Sequence, residues 1–265
     1  MDAETPIEPG GPGIEARPVS GIDNGFEAGY RIRFDEAGPD GLIRTSTLLR
    51  YAQDVAWRHS EALGFDRAWY AERSLAWVVR AVGLELLEPI AMGETLRVST
   101  AVVGHRRIWA RRLGVFRSPS GRRAATVTTD WVLLDARNRV VRIPDDFGVA
   151  FTNPEIRSEI LRVPPTDAEP VGRLGVTVRT RDLDPMGHVN NAVYLDWAEE
   201  ALEAAGWPRG GARWARLEYL ASAGPGADVE LHLGGDPSAW WVRIRRPGGD
   251  DLVRVAGGRF ELATG

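Results

Sequence analysis

The same order of predicted elements runs through this 265-residue chain twice, and that repetition limits the fold more than any single motif. In the first copy Tyr30-Arg31-Ile32-Arg33-Phe34 alternates as a strand does, and Gly38-Pro39-Asp40-Gly41 makes a turn. A helix is predicted over about 47–63, with Leu48, Ala52, Val55, Ala56 and Leu63 on its apolar side and Gly64 ending it. A short helical piece near 66–73 precedes strands over 75–87, 95–103, 108–116 and 124–134. The second copy reads as a strand over 174–178, a turn over 183–188, a helix over 191–205 and strands over 214–220, 228–233, 240–244 and 252–260. The helices align at a constant offset of 146, which sets Tyr51, Gln53 and Asp54 opposite Trp197, Glu199 and Glu200.

Each copy describes an antiparallel sheet wrapped round one helix. The expected class is therefore α+β, with two tandem units able to pair sheet to sheet. Residues 1–26, rich in Pro, Gly and acidic groups, read as a disordered leader. Residues 27–145 form the first unit and 171–265 the second. Between them, 146–170 carries Pro154, Pro164, Pro165 and Pro170 and reads as a linker running over the surface.

Composition removes several classes of function. With no cysteine there is no disulfide, thiolate metal site or cysteine nucleophile. All 33 basic residues are arginine, so a lysine Schiff base is excluded. The four histidines, His59, His105, His188 and His232, lack metal-site spacing, and no cofactor or metal is expected. A formal net charge of -4 argues against broad nucleic-acid binding. No apolar run approaches the length of a membrane span. The acidic start, Met1-Asp2-Ala3-Glu4, has no apolar core and is unlike a secretory signal, which points to the cytoplasm.

The chemistry concentrates in the second turn. Asp184-Pro185-Met186-Gly187-His188-Val189-Asn190-Asn191 puts a carboxylate and an imidazole in a Pro/Gly turn just before a helix. Asn190 or Asn191 is suited to cap that helix, whose partly positive N-terminus favours a developing anion. At the same offset the first copy has Gly38 for Asp184 and Leu42 for His188. One competent turn and one blank turn predict a single site per chain.

The string Asp184–Asn191 resembles the signature of hotdog-fold thioesterases, the superfamily that includes 4-hydroxybenzoyl-CoA thioesterase. Leu75-Ala76-Trp77-Val78-Val79-Arg80, Trp131–Asp135, Arg142–Asp146 and Leu217-Glu218-Tyr219 extend the resemblance to acyl-acyl carrier protein (acyl-ACP) thioesterases, which are tandem double hotdogs. The resemblance implies thioester hydrolysis, with an acyl pocket shaped by the first unit and catalytic groups supplied by the second. It gives Asp184 the role of general base, or of nucleophile, and His188 that of orienting water or binding the carbonyl oxygen. The chain departs from the family twice. Met186 stands where the family has Asn. Ser222 stands where the plant enzymes have a catalytic Glu. Candidates to orient water or hold an oxyanion are Asn190, Asn191, Met186, Glu218, Gln53 and Asp54. Trp57, Trp69 and Trp77 are candidates for the acyl pocket. The substrate is expected on acyl carrier protein or on CoA, a non-catalytic acyl-binding module is the alternative, and the assembly is expected to be a monomer or homodimer.

Overall fold

The computed structural model describes residues 25–150, 158–207 and 211–260. The predicted leader, apart from its last two residues, lies outside them. Among the described residues ten strands form one sheet: β1 (Phe26–Arg31), β2 (Leu75–Leu86), β3 (Thr95–Arg106), β4 (Trp109–Arg117), β5 (Arg123–Asp135), β6 (Gly172–Thr177), β7 (Arg213–Tyr219), β8 (Asp228–Gly235), β9 (Ala239–Arg245) and β10 (Asp251–Arg259). Two long helices, α1 (Thr45–Ala62) and α4 (Asn191–Ala204), follow the predicted spans closely. Between them lie the short α2 (Arg67–Arg73) and α3 (Asp145–Ala150).

Local sequence accounts for the helix ends. Gly64 takes a positive φ of 86° directly after α1, where a side chain would be strained. Asp66 caps α2 by accepting from Trp69 N at 2.8 Å, and Asn190 caps α4 by accepting from Ala192 N at 2.9 Å. Leu48, Leu49, Val55 and His59 bury one face of α1, and Tyr194, Leu195, Ala198 and Ala201 one face of α4.

The strand order β1-β3-β4-β5-β2-β7-β10-β9-β8-β6 corrects the expected sheet-to-sheet pairing. The units join edge to edge, with β2 antiparallel to β7 from Ala81↔Glu218 to Leu86↔Arg213. The reason is that each sheet already buries one face on its own helix. Its unsatisfied feature is an edge, and pairing two edges satisfies both backbones. This pairing also brings α1 to α4, where Arg50 meets Asp196 at 2.6 Å and Ser46 donates to the same carboxylate.

The duplication extends to individual hydrogen bonds. Gly38 N donates to Leu42 O at 2.8 Å, and 146 residues later Asp184 N donates to His188 O at 2.8 Å. Gly41 N and Gly187 N close the two turns at 3.0 Å onto Gly38 O and Asp184 O. Gly41 and Gly187 have φ of 73° and 76°. The bridges Ala37↔Ile43 and Leu183↔Val189 match as well.

Two boundaries differ from expectation. The first strand starts at Phe26, inside the predicted leader, and ends at Arg31. Phe34–Glu36 is instead a 3-10 turn, closed by Glu36 accepting from Arg33 N. The predicted linker runs over the surface in its described part and is tied down there. Phe147 of α3 stacks on Phe65 with centroids 4.1 Å apart. Further on, Leu161 N donates to Asp130 at 2.7 Å and Val163 N to Glu218 at 3.0 Å. Both carboxylates are buried and already hold arginines: Arg111 forks onto Asp130, and Arg80 and Arg162 meet Glu218. Buried anions thus hold this segment at Leu161 and Val163.

Two stability effects follow. Burial alone would raise the Glu218 pKa, but the Arg162 and Val163 hydrogen bonds and the Arg80 charge outweigh it and hold the group below the usual glutamate range. Its contribution is full above the unfolded-state pKa and drains as pH falls through the folded one. Glu218→Ala is expected to cost about 3 kcal/mol in urea denaturation at pH 7. His59 behaves oppositely. Burial, with the Arg112 charge second, depresses it to about 3. Below about pH 6.5 the unfolded chain takes up this proton and the folded chain does not, so His59 erodes stability as pH falls toward 3. An NMR titration is expected to find its ring neutral at pH 5.

Candidate active site

The second turn sits at the seam between the two units. Asp184 Oδ1 accepts from Met186 N at 2.8 Å and from His188 N at 3.2 Å. These bonds fix the carboxylate and leave Oδ2 without a hydrogen bond among the described residues. The turn is also held from outside. Asn190 N donates to Asp182 O at 2.8 Å, and Val189 N to Ala223 O at 3.4 Å. Ala223 N in turn donates to Tyr194 Oη at 3.0 Å, and Tyr219 Oη to Asn191 O at 2.9 Å. Burial raises the pKa of both phenols, so they are neutral braces.

A cavity of about 1110 Å³ opens beside this turn. Asp184, His188 and Asn191 line it from the second unit, and Gln53, Trp57 and Trp77 from the first. Tyr70, Trp131 and Val79 extend the wall inward. Most of the predicted site residues are therefore brought together, including Met186 and Ser222 at the two points where the family pattern is broken.

Four predicted residues lie elsewhere. Asn190 spends its side chain capping α4. Asp54, one residue from Gln53, is turned about 100° round α1. It is exposed, accepts from Tyr30 Oη and lies 3.8 Å from Arg58. Glu218 alternates with Leu217 and Tyr219, which belong to the core beside α4, so it faces away. The strand ends at Tyr219, so its alternation does not carry Glu218 to the face of Ser222. Trp69 packs edge-on to Phe65 and Phe147 under Arg73, while its neighbour Tyr70 meets the cavity.

Sequence reasoning passed over Tyr70, Trp131 and Tyr194. The register of β2 and β5, which pairs Trp77 with Leu133 and Val79 with Trp131, is the signal that puts Trp131 on the cavity face. His105 also lines the cavity. So does Arg112. It is buried against His59 Nδ1 at 2.8 Å.

The equivalent space in the second unit is almost filled. Leu195, Glu199 and Leu202 of α4 correspond to Leu49, Gln53 and Ala56 of α1, yet the cavity beside them is only about 30 Å³. Leu202 is bulkier than Ala56. Trp240 lies flat on Gly257, where an added Cβ would come within 2.2 Å of the indole. The unit that carries the charged turn is solid, and the unit with the blank turn is hollow. Among the described residues no cluster of His, Asp and Glu is arranged to hold a metal, and no helix is long and apolar enough to cross a membrane.

Comparison with known proteins agrees with this division. Residues 23–151 match the model of the acyl-ACP thioesterase N-terminal domain, and residues 167–241 that of the acyl-ACP thioesterase C-terminal domain. Oleoyl-acyl carrier protein thioesterase 1 of Arabidopsis thaliana is 24% identical over 199 residues, covering 67% of this chain and 54% of the plant protein. The dodecanoyl-[acyl-carrier-protein] hydrolase of Cinnamomum camphora is 26% identical over 193 residues, covering 67% and 50%. The chain thus spans about half the length of these curated relatives. The 12:0-ACP thioesterase of Umbellularia californica shares the fold, with a TM-score of 0.77 at 23% identity over 89% of this chain and 96% of that one. So does an acyl-ACP thioesterase of Bacteroides thetaiotaomicron, with a TM-score of 0.76 at 18% identity over 89% and 98%. With both halves matched in order and the same double fold, the chain belongs to the acyl-ACP thioesterase family.

Proposed function

We propose that this chain hydrolyses acyl-ACP thioesters to the free fatty acid and the carrier-protein thiol, in the cytoplasm and without a metal or cofactor. The observation that carries this reading is the Asp184 carboxylate, with one oxygen held by two backbone N–H groups and the other open, at the wall of a cavity large enough for an acyl chain. The acyl chain lies in the hollow first unit, among Trp57, Trp77 and Trp131, with the thioester at the second turn.

The roles follow from chemistry. Asp184 Oδ2 takes a proton from water as the water oxygen attacks the thioester carbon. The carbonyl π pair moves onto oxygen, giving a tetrahedral oxyanion. His188, whose ring has no hydrogen-bond partner among the described residues, donates to the water or to that oxygen. The N-terminus of α4, with the Asn191 amide beside it, adds a favourable field. Collapse restores the carbonyl and breaks the C–S bond, and the thiolate leaves with the proton that Asp184 had taken.

Purified protein is expected to release fatty acid from acyl-ACP faster than from the CoA ester of the same chain. Faster turnover of CoA would reassign the carrier. Asp184→Asn is expected to lower kcat by about 10²–10⁴, and His188→Ala by about 10², while both variants still bind the free fatty acid. An unaltered chain that binds acyl groups yet hydrolyses none would make the molecule a binding module.

A further inference from the structure

At Met186 and Ser222 the site lacks an amide and a carboxylate that the resemblance leads one to expect, and other polar groups line the same cavity. The pseudo-symmetry of the molecule singles one out. The start of α4 lies against the middle of α1, so that Asn191 and Tyr194 share a cavity wall with Gln53 and Ala56. Reciprocally, the start of α1 lies against the middle of α4, where Thr45 shares the small second cavity with Leu195, Glu199 and Leu202. Gln53 in the hollow copy thus occupies the place of Glu199 in the filled copy. Their surroundings differ. Glu199 is buried and ion-paired with Arg213, which also donates to Thr45. Gln53 lines the large cavity, and its side-chain amide makes no hydrogen bond to any described residue. Asp54, the neighbouring polar group, is held outside by Tyr30. A half-buried amide in a cavity wall that bonds to no described residue is free to donate to a bound ligand.

We infer that Gln53 donates its side-chain N–H to the thioester carbonyl oxygen. The unit without an acid then supplies the group that stabilises the developing charge, and the site is complete only across the seam. This rests on the hydrolytic reading above. It adds no step: Asp184 still accepts the proton of water, and Gln53 gains a stronger hydrogen bond as the carbonyl oxygen becomes an oxyanion.

Steady-state kinetics on acyl-ACP test it. Gln53→Met, close in shape but without an amide, is expected to lower kcat by about 10²–10³ while KM stays within about threefold. Adding Met186→Asn to that variant restores an amide on the opposite side and is expected to recover at least about tenfold of the loss. A merely structural role for Gln53 moves thermal stability and is not rescued from Met186. Turnover by Gln53→Met within threefold of the unaltered chain, or a double variant no faster than Gln53→Met, overturns the inference alone. Absence of any thioester hydrolysis by the unaltered chain overturns the hydrolytic reading and this inference together.

Discussion

The pairing of β2 with β7 is the contact on which the rest of the molecule depends. It makes two five-stranded sheets into one and leaves both long helices on the same side. Without it, Asp184 and Gln53 would belong to separate bodies, and the wall shared by Asn191 and Ala56 would not exist. The join is reinforced across the strands. Arg80 of β2 donates to Tyr219 O and meets the Glu218 carboxylate of β7, and the segment around Val163 lies over the same carboxylate. A buried anion there is strained without its partners and well held with them, so Glu218 makes the seam specific.

The duplicated architecture then becomes useful through inequality. The two turns share a backbone trace down to their positive-φ glycines, and their side chains separate them, most consequentially Gly38 against Asp184 and Leu42 against His188. Packing separates the units in the opposite sense. Trp240 and Leu202 fill the second unit, whereas Ala56 and the spread of Trp57, Trp77 and Trp131 leave the first open. A carboxylate at the edge of a hollow neighbour reaches a bound chain without giving up its own support. The acid-bearing turn draws its rigidity from a solid core, and the acyl group takes its room from the other one.

Much of this was legible in the chain. Helix and strand spans could be read from periodicity, because apolar residues must line one face of a helix or alternate along a strand. The offset of 146 was visible because both copies keep the same turn chemistry. The Asp184–Asn191 string marked the charged turn, since few sequences place acid, glycine, imidazole and two amides in eight residues. Less was readable where a side chain's fate depends on one step of rotation or parity. Gln53 and Asp54 are neighbours with opposite destinations, as are Trp69 and Tyr70. Glu218 went to the far face because it alternates with Leu217 and Tyr219, and its parity does not extend to Ser222 because β7 stops at Tyr219.

By itself the sequence determined two α+β units, one charged turn, the absence of thiol and lysine chemistry, and the family resemblance. All of these follow from local residue types and their spacing along the chain. Only the tertiary structure decided that the units join by their edges, that one is hollow and the other filled, and that the wall facing Asp184 comes from a helix more than a hundred residues earlier. Those outcomes depend on which edges are left unpaired and which volumes are left empty once every part is packed. Such quantities belong to the folded whole, and no stretch of sequence carries them.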